Sequence, residues 1–509
     1  MIKFLNKTKW LAALSLMILS VSCKKQLEVT PLTLLDESKA LKTVAGVDGA
    51  ISSIYASLKS QVYYGRDMIA FADALGDNGF ATNHSGRLIG EARNAIGSHF
   101  VNWSTLYNSI NQANIVLDAL ITPGEIVPAP TAAQLASWEG QLKFLRALLY
   151  FDLERIYSYI PGAVVSANDK GGVPLMLTGI RTSELANTAK PSRGTIAAVY
   201  SQIYADLTTA VAKLGATPSQ FPFRASKEAA QALFAKVALY NKDFVTAKNW
   251  ADLVITARGS TLRNAGNYVA GWRSAVNPES LFEVAFATSG ESLGVNVSMQ
   301  SSFTCLVTPG VPASTGGWGD LGASISLIND LGITLVSPAT YGVNPCAVAS
   351  RSADVRNQLF EPGSPGRGLT FIECTKFLGK NGALYTDNIP VIRISEVYLI
   401  RAEAQSANST SAAYNLTNAK ADLDLIRTNR GLAALGSATQ TAIVDDISLQ
   451  RRLELAFEGN RFFDLKRLGK DIFKSPTYSD VLFNDFRILP AIPNGDLQLN
   501  PNLIQNVGY

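Results

Sequence analysis

Apolar positions along this 509-residue chain recur mainly at helical spacing, and the helical stretches come in pairs. Residues 103–120 (WSTLYNSINQANIVLDAL) predict one helix. Pro123, Gly124, Pro128 and Pro130 then break the pattern. A long apolar helix is expected over 134–159, stopped by Pro161-Gly162. Residues 195–214 predict a third helix. The stretch opening at Ser226, a good N-cap residue, reads as two helices broken near 241–243. Tyr240, Phe244 and Ala247 there have tetratricopeptide-like helix-turn-helix spacing, with small alanines where helices meet closely. Residues 401–427 predict a second such unit, with Ala402 and Ala419 as the small contacts.

Two charged helices near the C-terminus are the most specific part of this pattern. In 393–405 (RISEVYLIRAEAQ), Ile394, Val397, Tyr398 and Ala402 share one face, and Leu399 and Ile400 widen it. A helix apolar on two sides belongs inside a helical array. In 451–469 (RRLELAFEGNRFFDLKRLG), an apolar stripe of Leu449, Leu453, Ala456 and Phe457 leads to a break at Gly459-Asn460 and a short helix around Phe463. Glu396, Glu403, Glu454, Glu458, Arg461 and Asp464 offer acid–base chemistry or ion pairing. Arg461 lies three residues from both Glu458 and Asp464, so pairing along the helix is available, and these charges are expected to tie helices together.

Two long segments have neither helical nor strand periodicity. Residues 63–99 are polar and glycine-punctuated, and 285–370 are rich in Gly, Ser, Thr, Pro and Asn. Loops of this length in a compact protein are usually functional or disordered. The expected fold is therefore mostly α: a tetratricopeptide-like helix-pair scaffold with long irregular, short-strand insertions near 63–100 and 285–370.

The first residues set the compartment. Lys3, Lys7 and Lys9 precede an apolar run over 10–21, followed by Ser22-Cys23. That order describes a signal peptide over 1–22, because the run is shorter than the ~20 residues a membrane helix needs. Cys23 suits lipoprotein processing, although the leucine usual three places before the cysteine is Ser20 here, with Leu19 one further back. Residues 23–509 are expected to form one mature domain, with no later segment able to span a bilayer. A net charge of +4 with 17% charged residues is too balanced to suggest nucleic acid. Cys305, Cys346 and Cys374 permit one disulfide and leave one thiol over; Cys346 and Cys374 share one irregular region.

Motifs for catalysis are sparse. Gly290-Glu291-Ser292-Leu293-Gly294 is a literal G-x-S-x-G after the strand-like LFEVAFAT. A nucleophile elbow needs a following helix and a later histidine, yet VNVSMQSSF follows and the only histidines, His84 and His99, lie upstream. A turn is the better reading. Two histidines also argue against a histidine-rich metal site, and no phosphate loop or dinucleotide fingerprint is present. No metal or cofactor is expected. Paired carboxylates for glycoside hydrolysis need no fixed spacing, so a hydrolase stays among the alternatives.

Several blocks together resemble the SusD/RagB family of Bacteroidetes surface glycan-binding proteins. They are the two C-terminal helices, the CKKQLEVTP start of the mature chain, GQLKFLRALLYFDLERIY (140–157) with GGVPLML (171–177), PSRGTIAAVYSQIYADL (191–207), and the terminal LPAIPNGDLQLNPNLIQNVGY (489–509). The resemblance implies a non-enzymatic outer-membrane lipoprotein, anchored through Cys23 and facing outward. Such a protein binds oligosaccharides and forms a lid over a SusC-like TonB-dependent transporter. RagB relatives work with peptide importers, so a peptide or glycopeptide receptor is the alternative.

The family's ligand contacts come from insertions like those above. A sugar offers an apolar C–H face to an aromatic ring and a rim of hydroxyls to amides, carboxylates and guanidinium groups. Trp318, in GGWGDLG, is the leading candidate, since its glycine neighbours could let backbone approach a ligand and leave the indole exposed. Tyr64 and Phe80, with Tyr63, are further candidate platforms; Arg66, Asp77 and Asn78, with Asn83 and Arg87, are candidate polar partners. Trp103, Trp138 and Trp272 fall on helix- or strand-like patterns and are expected in the core.

Overall fold

A computed structural model of the chain describes residues 40–215, 218 and 220–509. The expected signal peptide and Cys23 lie outside the described residues. The scaffold helices, numbered in chain order, are α1 (Val44–Ser57), α2 (Asp67–Leu75), α3 (Trp103–Ala119), α4 (Ala132–Tyr157), α5 (Ile196–Lys213), α6 (Lys227–Tyr240), α7 (Phe244–Arg258), α8 (Ile394–Ser406), α9 (Leu416–Asn429), α10 (Gln440–Glu454) and α11 (Arg461–Arg467). From α3 to α10 each helix packs on the next, and the array passes directly from α7 to α8 across a long insertion. This is the expected helix-pair scaffold, with one correction: α2 lies inside the segment 63–100 expected to be an irregular insertion, and all nine of its residues are buried. Among the described residues no helix is long and apolar enough to cross a membrane.

Local chemistry sets the helix ends. Ser226 caps α6 by accepting from Ala229 N at 3.0 Å, and Asp243 caps α7 by accepting from Thr246 N at 3.1 Å, so the expected break falls between them. Thr131 and Gln134 close a capping box that starts α4 slightly earlier than the apolar pattern suggests. Ala402 and Ala419 meet in a small cluster with Leu423, Ile443 and Ile447, where the absence of bulk lets α8, α9 and α10 approach. Trp103, Trp138 and Trp272 are buried, as expected.

One boundary differs from the sequence pattern. The stripe through Ala456 and Phe457 predicts continuing helix, but α10 ends at Glu454. The buried carboxylate of Asp73, on α2, accepts from Phe457 N and Gly459 N, both at 3.0 Å, and holds a turn there. Phe457 and Gly459 take positive φ of 60° and 77°. A side chain at Gly459 would sit 2.9 Å from Met68 O, so α2 needs glycine at this crossing.

The signature charges form a buried ion-pair network that links helices to the insertions. Arg393 donates to Glu279 at 2.7 Å, Glu454 at 3.0 Å and Glu458 at 2.7 Å. Arg430 donates to Glu279 and Glu454, both at 2.9 Å, and Lys376 to Glu458 at 2.6 Å. On the other side of α10, Arg467 joins Glu403 at 2.5 Å and Asp464 at 2.7 Å, while Lys236 meets Glu396 at 3.0 Å. Burial opposes ionisation of Asp464, but Arg451 and Arg467 hold its carboxyl well below the usual range. These residues tie elements together, as expected, but not through the pairing that the spacing of Arg461 from Glu458 and Asp464 offers: Arg461 binds Asp77 and forms an ion pair with neither, while Glu458 and Asp464 take other partners.

The insertions meet in short strands: β1 (Gly79–Ala81), β2 (Ser280–Val284), β3 (Leu321–Ala323), β4 (Ile333–Leu335), β5 (Val348–Arg351), β6 (Phe360–Pro362), β7 (Ile372–Cys374) and β8 (Ile389–Arg393). Strands β1, β3, β7 and β6 form a four-stranded sheet in that order, while β2 pairs with β8 and β4 with β5. Phe80 lies opposite Gly322 in the β1–β3 pair. Segments far apart in sequence are thereby brought to one surface.

The cysteines correct an expectation. Cys305, Cys346 and Cys374 are all free thiols. The Cys346 backbone N–H donates to Thr370 Oγ1 at 3.0 Å, at the far end of the β7 segment from Cys374. The intervening extended chain spans roughly 13 Å, beyond disulfide reach.

Candidate functional site

The sheet positions Trp318 where three loops converge. Trp318 N and Gly319 N both donate to Ser301 O, at 3.1 and 2.8 Å, and Gly316 N donates to Cys305 O at 2.8 Å. His84 places Nδ1 2.7 Å from Trp318 O and Nε2 2.8 Å from Leu369 O, strapping the loop after β1 across the other two. Thr82 Oγ1 donates to Gly319 O at 2.6 Å. The backbone under the indole is therefore fixed from both sides.

The glycines around Trp318 serve this framework. A Cβ added at Gly317 would lie 2.0 Å from Thr304 O, and one at Gly319, where φ is +61°, 2.5 Å from Glu373 Oε1. Their close approach is to the protein's own interior, which corrects the expectation that they make room for a ligand. Beneath them the fully buried Glu373 accepts from Cys305 N at 2.7 Å and Thr304 Oγ1 at 2.9 Å. Burial pushes its carboxyl up to about 7, against the pull of those bonds.

The Trp318 ring is half-buried, between the exposed and core alternatives. Its Nε1 donates to Oδ1 of the exposed Asn296 at 3.3 Å. The Arg367 guanidinium carbon lies 4.0 Å from the ring centroid, and Arg367 Nε donates to Gly317 O at 2.8 Å. The guanidinium thus covers one face of the indole and the amide stands at its edge, leaving the remaining aromatic surface beside both polar groups. That is the combination a pyranose needs, with C–H groups against the ring and hydroxyls against the polar rim.

The other candidate residues serve the fold. Tyr64 is 2% exposed and its hydroxyl donates to Asp152 at 2.9 Å, beside Tyr63, which donates to the same oxygen at 2.5 Å. Neither ring is available as a platform. Phe80 is half-buried and edge-packed against Tyr341 and Phe371, with centroids 5.5 and 5.2 Å away, so its ring fills an aromatic cluster. Asp77 is chelated by Arg461 at 2.5 and 2.8 Å. Asn78 is wholly buried, donating to Asp73 at 2.9 Å and accepting from Arg452 at 3.0 Å. Arg66 turns back onto the neighbouring Asp67 at 2.6 Å. Each is polar because a buried partner requires it. Asn83 is exposed, and Arg87 is tied to Asp320 at 2.5 Å.

Arg367 and Asn296 escape a motif search, since PGRG and VNVS look like ordinary loop sequence; Arg367 arrives between the paired strands β6 and β7, and Asn296 through the bonds of Ser301 to Val295 and Trp318. The G-x-S-x-G segment is a turn bracketed by Gly290 and Gly294 at positive φ, with Glu291 bound to Lys59 at 2.7 Å. No histidine is free to serve it: His84 is engaged as above, and burial between Phe100 and Phe462 lowers His99 to about 3. Among the described residues no cluster of three metal-ligating side chains occurs. The carboxyls pushed upward by burial, Asp73 to about 6 and Glu154 to about 8, are enclosed and accept backbone N–H groups. Concavities lie elsewhere: one of about 400 Å³ flanks Tyr240 and Arg451, another of about 590 Å³ flanks Tyr55 and Arg224, and a third of about 610 Å³ flanks Asp48 and Gln141. The Trp318 surface joins a partly accessible ring to accessible polar groups, whereas the first of these is largely apolar and floored by mutually paired charges.

Comparison with known proteins adds independent information. A family described as starch-binding and associating with the outer membrane matches residues 33–239, and the SusD family matches residues 370–509. A SusD-like protein P2 from Formosa agariphila is 26% identical, over 97% of this chain and 98% of its own. A crystal structure of a SusD superfamily protein from Bacteroides vulgatus superposes with a TM-score of 0.75 at 26% identity, covering 92% of this chain and 99% of that one. A laminarin-binding SusD-like protein shares the fold, with a TM-score of 0.67 at 22% identity, over 92% of this chain and 100% of its own.

Proposed function

The chain belongs to the SusD/RagB family, and from that premise we propose that it is a non-enzymatic surface receptor for oligosaccharides, with Trp318 as a sugar platform. The observation that carries this reading is the half-exposed indole on a fixed backbone, flanked by Asn296 and Arg367. A ring whose backbone is already ordered loses little freedom on binding, so stacking contributes to affinity rather than to ordering the loop. Asn296, at the ring's edge, supplies an acceptor, and Arg367, over its face, supplies donors for hydroxyls.

Residues 23–509 would form the mature receptor after removal of 1–22, held at the outer membrane by acylated Cys23 and facing outward. Its partner would be a SusC-like TonB-dependent transporter, to which the bound glycan passes.

The test is a binding screen of the purified protein on immobilised glycans and peptides, followed by analysis of the bound glycan for new reducing ends. Retention of at least one glycan class without cleavage is expected. Retention of peptides alone would establish the RagB-like alternative, and new reducing ends would establish a hydrolase.

A further inference from the structure

We infer that the Trp318 surface is built for an anionic sugar, bearing a uronate carboxylate or a sulfate ester, and that Arg367 reads that charge. This rests on the glycan-binding reading above and gives it a substrate class.

Arg367 has no acidic partner among the described residues, unlike its neighbours Arg87 and Arg273. Arg87 has Asp320 at 2.5 Å, and Arg273 has Glu361 at 3.9 Å. Arg351, in β5, is spent on the carbonyls of Phe360, at 2.7 Å, and Asn357. Arg367 meets no carboxylate among the described residues; its Nε is held by Gly317 O, and its plane lies against Trp318. The two terminal nitrogens are uncommitted. Guanidinium is a planar fork matched to carboxylate and sulfate, and an anchored fork loses less freedom on binding than a free lysine would.

The neighbouring acids do not compete for it. Asp320 is held by Arg87 and by Ser85 Oγ, at 2.5 Å each. Glu373 is sealed beneath the loop by Thr304 and Cys305. Glu361 accepts from Gly310 N and faces Arg273. Arg87 and Arg273 each face a carboxylate and Arg351 is taken up by two carbonyls; among the described residues Arg367 has one carbonyl, on Nε, and nothing on its terminal nitrogens. The guanidinium covers one face of the indole, so a sugar meets it at the rim of the stacked pair, where a projecting substituent can reach the terminal nitrogens. A neutral hydroxyl there forms an ordinary hydrogen bond, whereas an anion forms a charge-assisted, bidentate one, stronger by roughly ten- to a hundredfold in affinity.

A structural role for Arg367 is the competing explanation, since its cation–π contact alone could steady the indole. The experiment separates them by titrating the full chain, in detergent, with length-matched neutral, uronate and sulfated oligosaccharides. Wild-type protein and the Arg367→Gln and Arg367→Lys variants are compared, with melting temperatures alongside. The expected result is that one anionic class binds at least tenfold more tightly than the neutral series. That preference should be lost in Arg367→Gln, partly kept in Arg367→Lys, and compressed by salt. Which anionic series binds identifies uronate or sulfate. Equal binding of neutral and anionic glycans, or an equal loss for both in Arg367→Gln, overturns the inference while leaving glycan binding intact. Failure of every glycan to bind overturns the receptor reading itself.

Discussion

Replacing Glu454 with glutamine should destabilise the protein by about 3–5 kcal/mol, the cost typical of breaking a buried ion pair on one side. Glu454 is fully buried and accepts from Arg393 Nη1 at 3.0 Å and from Arg430 Nε and Nη2, both at 2.9 Å. Burial alone would raise its carboxyl, but Arg430 and Arg393 outweigh it and hold it well below the ordinary range. The network around it is balanced: Arg356, Arg393, Arg430 and Lys376 face Glu279, Asp354, Glu454 and Glu458. Glutamine keeps the shape and one acceptor oxygen, yet leaves one cation uncompensated in the interior. Each lost charge-assisted bond is worth roughly 1.5–3 kcal/mol, so one or two account for the whole figure. Urea unfolding followed by far-ultraviolet circular dichroism and tryptophan fluorescence measures the change. The double variant Glu454→Leu/Arg430→Met removes one charge of each sign and should recover much of the loss. A cost below about 1 kcal/mol for Glu454→Gln would refute the view that this network is electrostatically closed.

Cys23→Ala should move the protein from the membrane fraction to the soluble fraction, as loss of an acyl anchor requires; unchanged acylation would contradict the assignment. Tyr64→Phe removes a bond to the Asp152 carboxylate and should cost about 1.5–3 kcal/mol of stability while leaving glycan affinity unaltered; a selective loss of affinity would restore Tyr64 to the site. Glu373, raised to about 7 by burial, holds its proton in the folded state above the pH at which the unfolded chain releases it. Its contribution is full below the ordinary glutamate range and is lost as pH rises through about 7, a change of a few kcal/mol, so Glu373→Gln should flatten the fall in stability between pH 5 and 8. An unchanged pH profile would show that the carboxyl ionises freely.

The scaffold was legible because helix pairs depend on local information. Ser226 and the 241–243 break announce their caps, and Ala402 and Ala419 announce a close crossing. The signature charges were legible as structural, but their partners were not, because Arg461, Glu454 and Glu458 pair with residues far away in the chain or on other elements and not along the helix. The early end of α10 was not, because it is imposed by Asp73 from a helix nearly 400 residues away in sequence, and apolar periodicity is blind to that bond. The site was only partly legible for a related reason. Tyr64, Asp77, Asn78 and Arg66 lie in polar, aperiodic sequence, and composition cannot distinguish a polar group facing solvent from one facing a buried partner. Arg367 and Asn296 acquire their meaning only when tertiary contacts, strand pairing for the first and the Ser301 bonds for the second, set them beside Trp318.

The central claim, that Trp318 is a sugar platform on a rigid helical receptor, is tested most directly by calorimetric titration of Trp318→Ala against a glycan bound by the wild type. Loss of stacking worth about 1.4 kcal/mol corresponds to tenfold in affinity. The account predicts at least that weakening with a melting temperature close to wild type. Unaltered affinity, or a collapse in melting temperature of the kind a core tryptophan produces, at ~3–5 kcal/mol, would contradict it.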